Sequence, residues 1–330
     1  MASVRLSRDE PFARLMSDMV GNGAGAVRAD EEFVELRPLL FSIAYRMLGS
    51  IAEAEDVLQD TFLRWRRAAE EGSEIDSAKS YLAATVTRLA IDRLRRVKTR
   101  RETYIGPWLP EPLVAGTEED VAEQAEMADS LSMAFLVLLE SLKPVERAVF
   151  LLREVFEYGY PEIAEIVGKS EANCRQLFAR ARRRIEAETP RFETSTEERD
   201  ELARRFFAAC TDGDMDGLVE LLASDAVAVG DGGGKAYAAR EPIHGAQRVA
   251  TFLVRLFEQG RRIDARLELT RVNGQPGALA YDGEGRLLTV LSLDVVEGRV
   301  QAIRSVVNPD KLGHLGPISP YGRPDPDSDG

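Results

Sequence analysis

The chain has 330 residues, a formal net charge of −13 and 44% hydrophobic residues. This length exceeds one usual hydrophobic core, so it predicts two or three folded domains. The net acidity argues against a protein that coats nucleic acid indiscriminately. Two cysteines, Cys174 and Cys210, are too few for a disulfide framework and lack the spacing of a zinc site, which indicates a reduced compartment. We therefore expect no metal and no cofactor.

The N-terminal residues 1–30 are rich in glycine and alanine and are expected to be poorly ordered. They lack the continuous apolar segment of a signal peptide, and no later run has the length needed to span a bilayer. The sequence therefore predicts a soluble, cytoplasmic protein.

Three amphipathic helices are predicted over residues 31–101, where apolar residues recur at helical spacing. The first helix follows a stripe that starts at Phe33 and ends at Leu48. The second contains the segment Ala54–Trp65, and the third runs over Ala78–Arg96. We expect these helices to form one compact bundle.

The end of the third helix is strongly basic, with Asp92 as the single acid between residues 88 and 101. A basic surface confined to one helix of an acidic protein indicates a specific nucleic-acid footprint, and a solvated charged helix is the alternative. The basic residues are Arg88, Arg93, Arg95, Arg96, Lys98, Arg100 and Arg101.

Residues 102–126 are predicted to be a linker, because the prolines and glycines in its first half cannot continue a helix. Helical periodicity returns over residues 127–190. Pro144 fits the first turn of a helix in this second helical unit.

The second helical unit ends in a pattern typical of a helix-turn-helix, A-x3-G-x5-apolar, formed by Ala164, Gly168 and Cys174. The last helix is predicted to bury one apolar face and to point a polar, mostly basic face outward. Such a face suits a major groove, and an ordinary helical hairpin with a solvated face is the alternative. The inward residues are Cys174, Leu177, Phe178, Ala181 and Ile185, and the outward residues are Glu171, Arg175, Gln176, Ala179, Arg182 and Arg183.

The pattern changes in residues 197–312, where helices precede a short strand, a glycine-rich turn and four β-rich segments. Asn273-Gly274, Asp282-Gly283 and Glu297-Gly298 mark tight turns between the segments. This order predicts an α+β domain with a curled antiparallel sheet wrapped over helices. Residues 313–330 are rich in Pro, Gly and Asp and are expected to form a flexible tail.

In their order along the chain, these modules resemble a bacterial RNA polymerase sigma factor of the extracytoplasmic-function (ECF) type over residues 32–188. Such factors keep only two all-α modules, regions two and four, which correspond here to residues 31–101 and 127–190. The resemblance implies a protein that is not an enzyme, that binds the RNA polymerase core and promoter DNA, and that initiates transcription. A conventional activator or repressor is disfavoured, because it gives no reason for the segment Asp56–Trp65 or for a separate basic helix.

The first implied contact is with the polymerase. In the family, the segment that matches Asp56–Trp65 grips the coiled coil of the largest polymerase subunit. Phe62 and Trp65 are interpreted first as core residues of the bundle. The implied core-binding residues are Asp56, Gln59, Asp60, Phe62 and Trp65.

Promoter contacts are implied at two places. The segment Ser73–Tyr81 with the helix after it resembles the part that melts and reads the −10 element, which needs a basic track and pockets for flipped bases. Burial of Tyr81 in the bundle is the alternative. The implied −10 residues are Tyr81, Arg88, Arg93, Arg95, Arg96 and Lys98. The implied −35 residues are Glu171, Asn173, Arg175 and Gln176 at base edges, and Arg180, Arg182, Arg183 and Arg184 at phosphates.

The C-terminal domain resembles the SnoaL-like fold, a cone of sheet and helices related to nuclear transport factor two. A sigma subgroup with such a domain shares three signatures, Trp108–Pro112, Asp231–Lys235 and Asn308–Leu312. The resemblance implies control in cis without a separate anti-sigma factor. The implied regulatory residues are Trp108, Pro110, Asp231, Gly232, Gly233, Gly234, Lys235, Asn308, Pro309, Asp310, Lys311 and Leu312.

Alternatives remain for parts of this added domain. The glycine run would let the backbone approach a partner, with Lys235 presenting a charge, whereas a phosphate-binding loop is disfavoured because the Walker spacing is missing. Trp108 is an anchor for docking or part of a plain turn. An isomerase, a cyclase or a ligand sensor is the alternative function, with Asp225, Asp231, Tyr237 and His244 as available acid/base groups that form no motif.

Overall fold

The computed structural model describes residues 24–73, 75–101, 103–115, 128–188 and 195–322. They divide into two compact units. One unit holds the helices up to Arg101 together with residues 138–188, and the other holds residues 103–137 and the chain from 195 onward. Among the helices in these ranges, none is long and apolar enough to cross a bilayer.

The first unit begins with the predicted three-helix bundle. Its core contains Phe33 and Phe62, whose rings meet edge to face with centroids 5.0 Å apart. Ser50 caps the second helix by accepting a hydrogen bond from the amide of Glu53 at 3.2 Å. The indole of Trp65 donates to the carbonyl of Ala29 at 2.7 Å. The helices are α1 (Ala24–Leu48), α2 (Ile51–Glu70) and α3 (Ala78–Arg101).

Helix α1 starts at Ala24 and not near Glu32, so the segment expected to be poorly ordered is already helical over residues 24–30. Residues 1–23 lie outside the described residues. Ala29 is buried and accepts the indole hydrogen bond of Trp65, so a tertiary contact supports helix in a stretch whose composition favours disorder.

The same unit contains the second helical segment of the chain from residue 138 onward. Pro144 begins a helix, as its position predicted, because a proline in the first turn removes no helical hydrogen bond. The helices from Ala128 onward are α4 (Ala128–Leu131), α5 (Met133–Leu139), α6 (Pro144–Glu154), α7 (Tyr160–Val167) and α8 (Glu171–Glu188). Helices α4 and most of α5 belong to the other unit.

The other unit is an α+β domain with one six-stranded sheet in the order β2-β1-β6-β5-β4-β3. Besides α4 and most of α5, its helices are α9 (Thr196–Asp212), α10 (Met215–Leu221) and α11 (Ala246–Arg261). Its strands are β1 (Leu222–Asp231), β2 (Ile243–His244), β3 (Arg266–Val272), β4 (Gln275–Tyr281), β5 (Leu287–Val296) and β6 (Arg299–Val306).

The sheet is not wholly antiparallel, which corrects the prediction. Strand β1 pairs in parallel with β6, while the other neighbours are antiparallel. The turns at Asn273-Gly274 and Glu297-Gly298 are confirmed, with φ of 54° and 73° in the first and 50° and 70° in the second. A turn also forms at Asp282-Gly283, where the amide of Gly285 donates to the carbonyl of Asp282 at 2.9 Å, but the positive φ of 79° falls on Gly285 and not on Gly283. Local turn chemistry identifies hairpins, but the partner of β1 is set by a connection of more than sixty residues.

Both faces of the sheet are covered within this unit. Side chains such as Leu291 and Ile303 face one apolar cluster, which includes Phe206 and Leu253 from the helices. Alternate residues along the same strands face a second cluster with Leu109 and Leu312. Because successive strand residues point to opposite faces, one sheet separates a helix-covered side from a linker-covered side.

The tail was predicted to be flexible from Gly313 onward, but residues 313–322 pack on this domain. Ile318 forms a parallel bridge with Leu287, and the buried Ser319 donates to the carboxylate of Asp282 at 2.7 Å. Burial by itself raises the pKa of Asp282, but hydrogen bonds from Arg286, Ser319 and the amide of Glu284 outweigh it and lower the pKa to about 2. Residues 323–330 lie outside the described residues.

Candidate nucleic-acid interface and the linker contact

Helices α7 and α8 form the predicted helix-turn-helix. Gly168 ends α7 in the left-handed region with φ of 64°, which a glycine adopts without the strain that a Cβ would bring. Cys174 is fully buried, as expected for an apolar plug, and Ala181 and Ile185 continue the buried stripe. Burial, with the nearby Glu171 carboxylate, raises the pKa of the Cys174 thiol, so this cysteine stays protonated and unreactive.

The outer face of α8, defined by Asn173, Arg175, Gln176, Arg180, Arg182 and Arg183, is exposed. Arg175 pairs with Glu171 at 3.0 Å and its guanidinium lies 4.8 Å from the ring centre of Tyr160. Arg182 pairs with Glu186 at 2.7 Å. Such exposed i,i+4 pairs are screened by solvent and contribute little to stability, so DNA phosphates or base edges can replace the carboxylates at little cost.

The predicted polymerase-binding segment divides into two sets. Asp56, Gln59 and Asp60 are exposed on α2, whereas Phe62 and Trp65 are buried. These two aromatic residues therefore pack beneath the exposed face of α2 and are not part of it, which agrees with their interpretation as core residues. They are each expected to contribute about 1.5–3 kcal/mol to the bundle through burial.

An apolar residue on this surface was missed by the sequence analysis. Leu63 is 40% exposed and lies three and four positions after Asp60 and Gln59. Residues at this spacing share one face of a helix, so Leu63 stands beside the two polar candidates. The sequence indicates this exposed position, because Leu63 is a large apolar residue that lies outside the inward apolar stripe of α2.

The −10 candidates on α3 are mostly engaged in contacts inside the first unit. Tyr81 packs on Trp65 with ring centroids 5.6 Å apart, which favours its structural role. Arg95 pairs with Asp92 at 2.9 Å and Arg96 is exposed. The side chain of Lys98, like those of Arg100 and Arg101, lies outside the described residues.

Arg88 connects the basic helix to the helix-turn-helix. Its guanidinium donates to the carbonyl oxygens of Glu165 and Ile166, each at 2.9 Å. These carbonyls belong to the last turn of α7, where no helical partner is available and a cation is favoured by the helix dipole. A predicted DNA contact thus holds regions two and four together.

Arg93 links the two predicted functions of region two. It donates to the carboxylate of Asp56 at 2.8 Å, and Glu53 lies 3.5 Å from it. Asp56 is a polymerase candidate and Arg93 a DNA candidate, so each neutralises the other in this conformation.

The linker contact is centred on the carboxylate of Asp231, which is fully buried at the end of β1. One oxygen accepts from the hydroxyl of Tyr104 at 2.5 Å. The other accepts from the amide of Leu109 at 2.7 Å and from the ammonium of Lys311 at 2.6 Å. We name the five residues Tyr104, Leu109, Asp231, Asn308 and Lys311 the linker clamp.

Asn308 and Lys311 complete the clamp from the segment after β6. Asn308 donates to the hydroxyl of Tyr104 at 2.8 Å. The ammonium of Lys311 lies 4.2 Å from the ring centre of Trp108 and also donates to the carbonyl of Leu109. Burial and the hydrogen bond to Asp231 raise the pKa of Tyr104, so its phenol keeps the proton that it donates. Every charge of the clamp is therefore matched by charge, hydrogen bonds or a ring face.

Two glycines make room for the linker. A Cβ on Gly233 would lie 2.3 Å from the side-chain nitrogen of Asn308 and 2.8 Å from the hydroxyl of Tyr104. A Cβ on Gly234 would lie 2.8 Å from Ile105. Both have positive φ, at 58° and 74°. Close approach explains why this loop is built from glycine.

Lys235 was predicted to present a charge where the glycine run meets a partner, and in the structure it lies beside the clamp and not in it. Its ammonium is exposed and pairs with Asp310 at 2.5 Å, beside the clamp. Lys311 supplies the buried charge instead, and Tyr104 was missed because it precedes the recognised signature. Among the other regulatory candidates, Pro110 and Leu312 are buried, Pro309 begins a 3₁₀ turn, and Gly232 packs against the backbone of Ala236.

The linker also extends the sheet beyond the clamp. The amide of Asn273 donates to the carbonyl of Leu113 at 2.7 Å, and the amide of Leu113 donates to the side chain of Asn273 at 3.1 Å. Val114 forms an antiparallel bridge with Val272. Residues 103–115 are thus held along one face and one edge of the added domain.

The four acid/base candidates are not brought together. Asp231 is used in the clamp, Asp225 accepts from Gln301 at 3.1 Å, and His244 is exposed on β2. Tyr237 is 72% exposed. Burial raises the pKa of Cys210 to about 12, so its thiol is not a nucleophile.

Comparison with known families and proteins agrees with this anatomy. Residues 33–101 match sigma-70 region 2, residues 132–185 match sigma-70 region 4, and residues 203–308 match the SnoaL-like domain. The chain is 36% identical over 290 residues to the ECF RNA polymerase sigma factor SigJ of Mycobacterium tuberculosis, covering 85% of this chain and 92% of that protein.

Two further matches support the same assignment. The probable ECF RNA polymerase sigma factor SigI of M. tuberculosis is 32% identical over 84% of this chain and 93% of its own length. The crystal structure of the M. tuberculosis extracytoplasmic function sigma factor SigJ superposes with a TM-score of 0.70 at 34% identity, covering 88% of this chain and 99% of that chain. The chain therefore belongs to the ECF RNA polymerase sigma factors, with a SnoaL-like domain fused after region four.

Proposed function

We propose that this sigma factor recruits the RNA polymerase core to promoters with −35 and −10 elements and that its SnoaL-like domain controls this activity in cis. The observation that carries the proposal is the buried carboxylate of Asp231, which holds the linker between regions two and four through Tyr104 and Leu109. Because that linker sets how far the two promoter-reading modules can separate, the domain that holds it controls their spacing.

The polymerase surface in this proposal is the exposed face of α2. Asp56, Gln59 and Asp60 offer polar groups for a basic partner, and Leu63 adds an apolar contact at the same face. An apolar residue surrounded by polar ones is a typical arrangement for a protein interface.

The promoter surfaces are the outer face of α8 for the −35 element and the basic face of α3 for the −10 element. Arg88 supports a resting state in which these surfaces are not independent, since it donates to two carbonyls of α7. Binding of the −10 strand by Arg88 requires that it leaves α7. Separation of regions two and four is thus coupled to the release of a DNA-binding side chain.

Control by the fused domain replaces a separate anti-sigma factor in this proposal. The clamp supports it because three distant segments, at residues 104–109, 231 and 308–311, supply buried and half-buried groups that satisfy one another. A non-catalytic role for the domain is supported by the separation of Asp225, Asp231, Tyr237 and His244, which leaves no assembled acid/base pair among them.

The test is run-off transcription with RNA polymerase core on a promoter library. Full-length protein is compared with a version that ends at residue 190 and a version that ends at residue 312. Polymerase-dependent initiation that differs between the full-length and shortened proteins is expected. Initiation by none of the three would contradict the sigma function, and equal output from all three would contradict control in cis.

A further inference from the structure

The SnoaL-like domain contains a cavity of about 770 Å³ between its sheet and helix α11. Phe252, Leu256 and Phe257 line it from the helix, and Leu291 and Ile303 line it from the strands. This volume lies within the range of about 300–1,000 Å³ that is typical of small-molecule sites. The cavity is therefore large enough for a drug-sized ligand and is lined mainly by apolar side chains.

The polar groups at the cavity limit the charge of a ligand. Arg261 and Arg266 are its ionisable basic residues, whereas no Asp, Glu, His or Cys belongs to the described residues that line it. Both arginines are exposed and Arg261 lies 4.0 Å from the carboxylate of Glu258, so they contribute at the rim only. Inside, a positive ligand would lose its hydration against a mainly apolar lining that offers no carboxylate among the described lining residues, which disfavours its binding. The lining accepts an uncharged or anionic molecule.

Two hydroxyl groups on the sheet add a directional contact. The hydroxyl of Thr289 lies 3.0 Å from the carbonyl oxygen of Val306, where it can only donate. The hydroxyl of Ser305 lies 2.9 Å from that of Thr289 and therefore donates to it. The oxygen of Ser305 then has lone pairs left for a donor, so the lining is suited to a ligand with an O–H or N–H group.

The cavity wall is continuous with the linker clamp. Gly230 and Ala236, on either side of the loop 231–235, both line the cavity, and so does Val307, which precedes Asn308. The amide of Val307 donates to the carbonyl of Asp231 at 2.9 Å. A ligand that moves these wall residues also moves the backbone that carries Asp231 and Asn308.

We propose that this cavity binds a predominantly apolar, drug-sized molecule that carries a hydrogen-bond donor and no positive charge, and that its occupancy is sensed at the linker clamp. Binding is independent of the function proposed above, whereas the consequence for transcription rests on control in cis. The two are tested separately.

Binding is measured on the full-length protein with N-phenyl-1-naphthylamine, an uncharged fluorescent probe with one N–H group. We expect saturable binding, displacement by decan-1-ol and no displacement by decyltrimethylammonium, which has the same alkyl chain with a positive charge. Absence of saturable binding would overturn the site. Equal displacement by the cation would overturn the assigned ligand class.

Variants locate the probe. Ala280 lines the cavity on β4, where it is the cross-strand partner of Thr289 on β5. The larger side chain of Ala280→Leu should therefore weaken probe binding at least tenfold, while Ala208→Leu at an exposed position of α9 should leave it unchanged.

Ser305→Ala removes one hydrogen bond to the ligand and should weaken binding about three- to tenfold. Ser224→Ala, at an exposed position, is the matched control. Equal affinities in either matched pair would contradict binding in this cavity, and thermal melting checks that each variant folds.

Coupling to the clamp is measured through Trp108, which lies against Lys311. We expect decan-1-ol to change the tryptophan emission of the wild-type protein and to leave that of Trp108→Phe unchanged. Confirmed probe binding with an unchanged Trp108 signal would overturn the coupling. A clear Trp108 response with no change in run-off transcription would contradict control in cis while leaving the ligand site intact.

Discussion

The outer face of α8 and the linker clamp both consist of charged residues, but they hold their charges in opposite ways. Arg175 and Arg182 are more than half exposed and pair with carboxylates one helical turn away. Asp231 and Lys311 have side chains 0% and 8% exposed and come from segments eighty residues apart. Exposed local pairs exchange partners at little cost, whereas breaking a buried pair leaves an uncompensated charge.

This difference suits the roles proposed for the two regions. A surface that reads promoter DNA must give up its own partners when DNA arrives. A contact that holds a linker must stay formed until the whole linker segment is released from the domain. Arg88 is an intermediate case, because its main-chain partners belong to a different region of the same unit.

The largest effect is expected when the clamp loses its charge. In Asp231→Asn, an NH2 group would replace one carboxylate oxygen and would face a hydrogen-bond donor in place of an acceptor. The Lys311 ammonium would also remain buried without its counter-ion. We expect a loss of about 3–5 kcal/mol from the contact. Hydrogen exchange at the Leu109 amide should become at least about 100-fold faster. Asp225→Asn, an exposed change of the same kind, should leave it unaltered, and equal exchange in both variants would contradict the central role of Asp231.

A smaller and more selective effect is expected on the outer face of α8, which is proposed to read the −35 element. Arg175→Ala should cost about 1–3 kcal/mol at promoters that carry the base which Arg175 contacts, and less at others. Arg182→Ala, a phosphate contact by prediction, should weaken all promoters alike and reduce the salt dependence of binding by about one counter-ion. Transcription or binding across single-base −35 variants distinguishes them. A uniform loss for Arg175→Ala would show that it is not a base contact.

A further prediction separates backbone strain from linker contact. Gly213 and Gly233 both have positive φ, but a Cβ on Gly213 would meet nothing within 4 Å, whereas one on Gly233 would enter the hydrogen bond between Asn308 and Tyr104. Replacement of either glycine by alanine should lower the free energy of unfolding by about 1 kcal/mol, because alanine is strained at a positive φ. Only Gly233→Ala should in addition weaken the clamp by about 1–2 kcal/mol, seen as faster exchange in residues 103–115. Equal hydrogen-exchange rates of residues 103–115 in the two variants would mean that Gly233 is needed only for the backbone conformation of its turn and not for the linker contact.

The amino-acid sequence by itself determined the features that depend on short spacing. The buried stripe of α8, the turn at Gly168 and the hairpins at Asn273-Gly274 and Glu297-Gly298 follow from local periodicity and backbone preference. The exposure of the candidates on α2 and α8 follows from the same periodicity, whereas their roles are implied by the resemblance to the sigma family. The order of the modules was sufficient to indicate the sigma family.

Tertiary structure alone decided the contacts between distant segments. It paired β1 in parallel with β6, brought Tyr104 and Lys311 to Asp231, left Lys235 outside the clamp, and turned Arg88 toward α7. No local pattern encodes these pairings, because a buried charge is matched by whichever group the fold brings within hydrogen-bond distance. The free energy of such a contact depends on the desolvation of its polar groups and on the geometry of their hydrogen-bond partners. Both are defined only when the chain is folded.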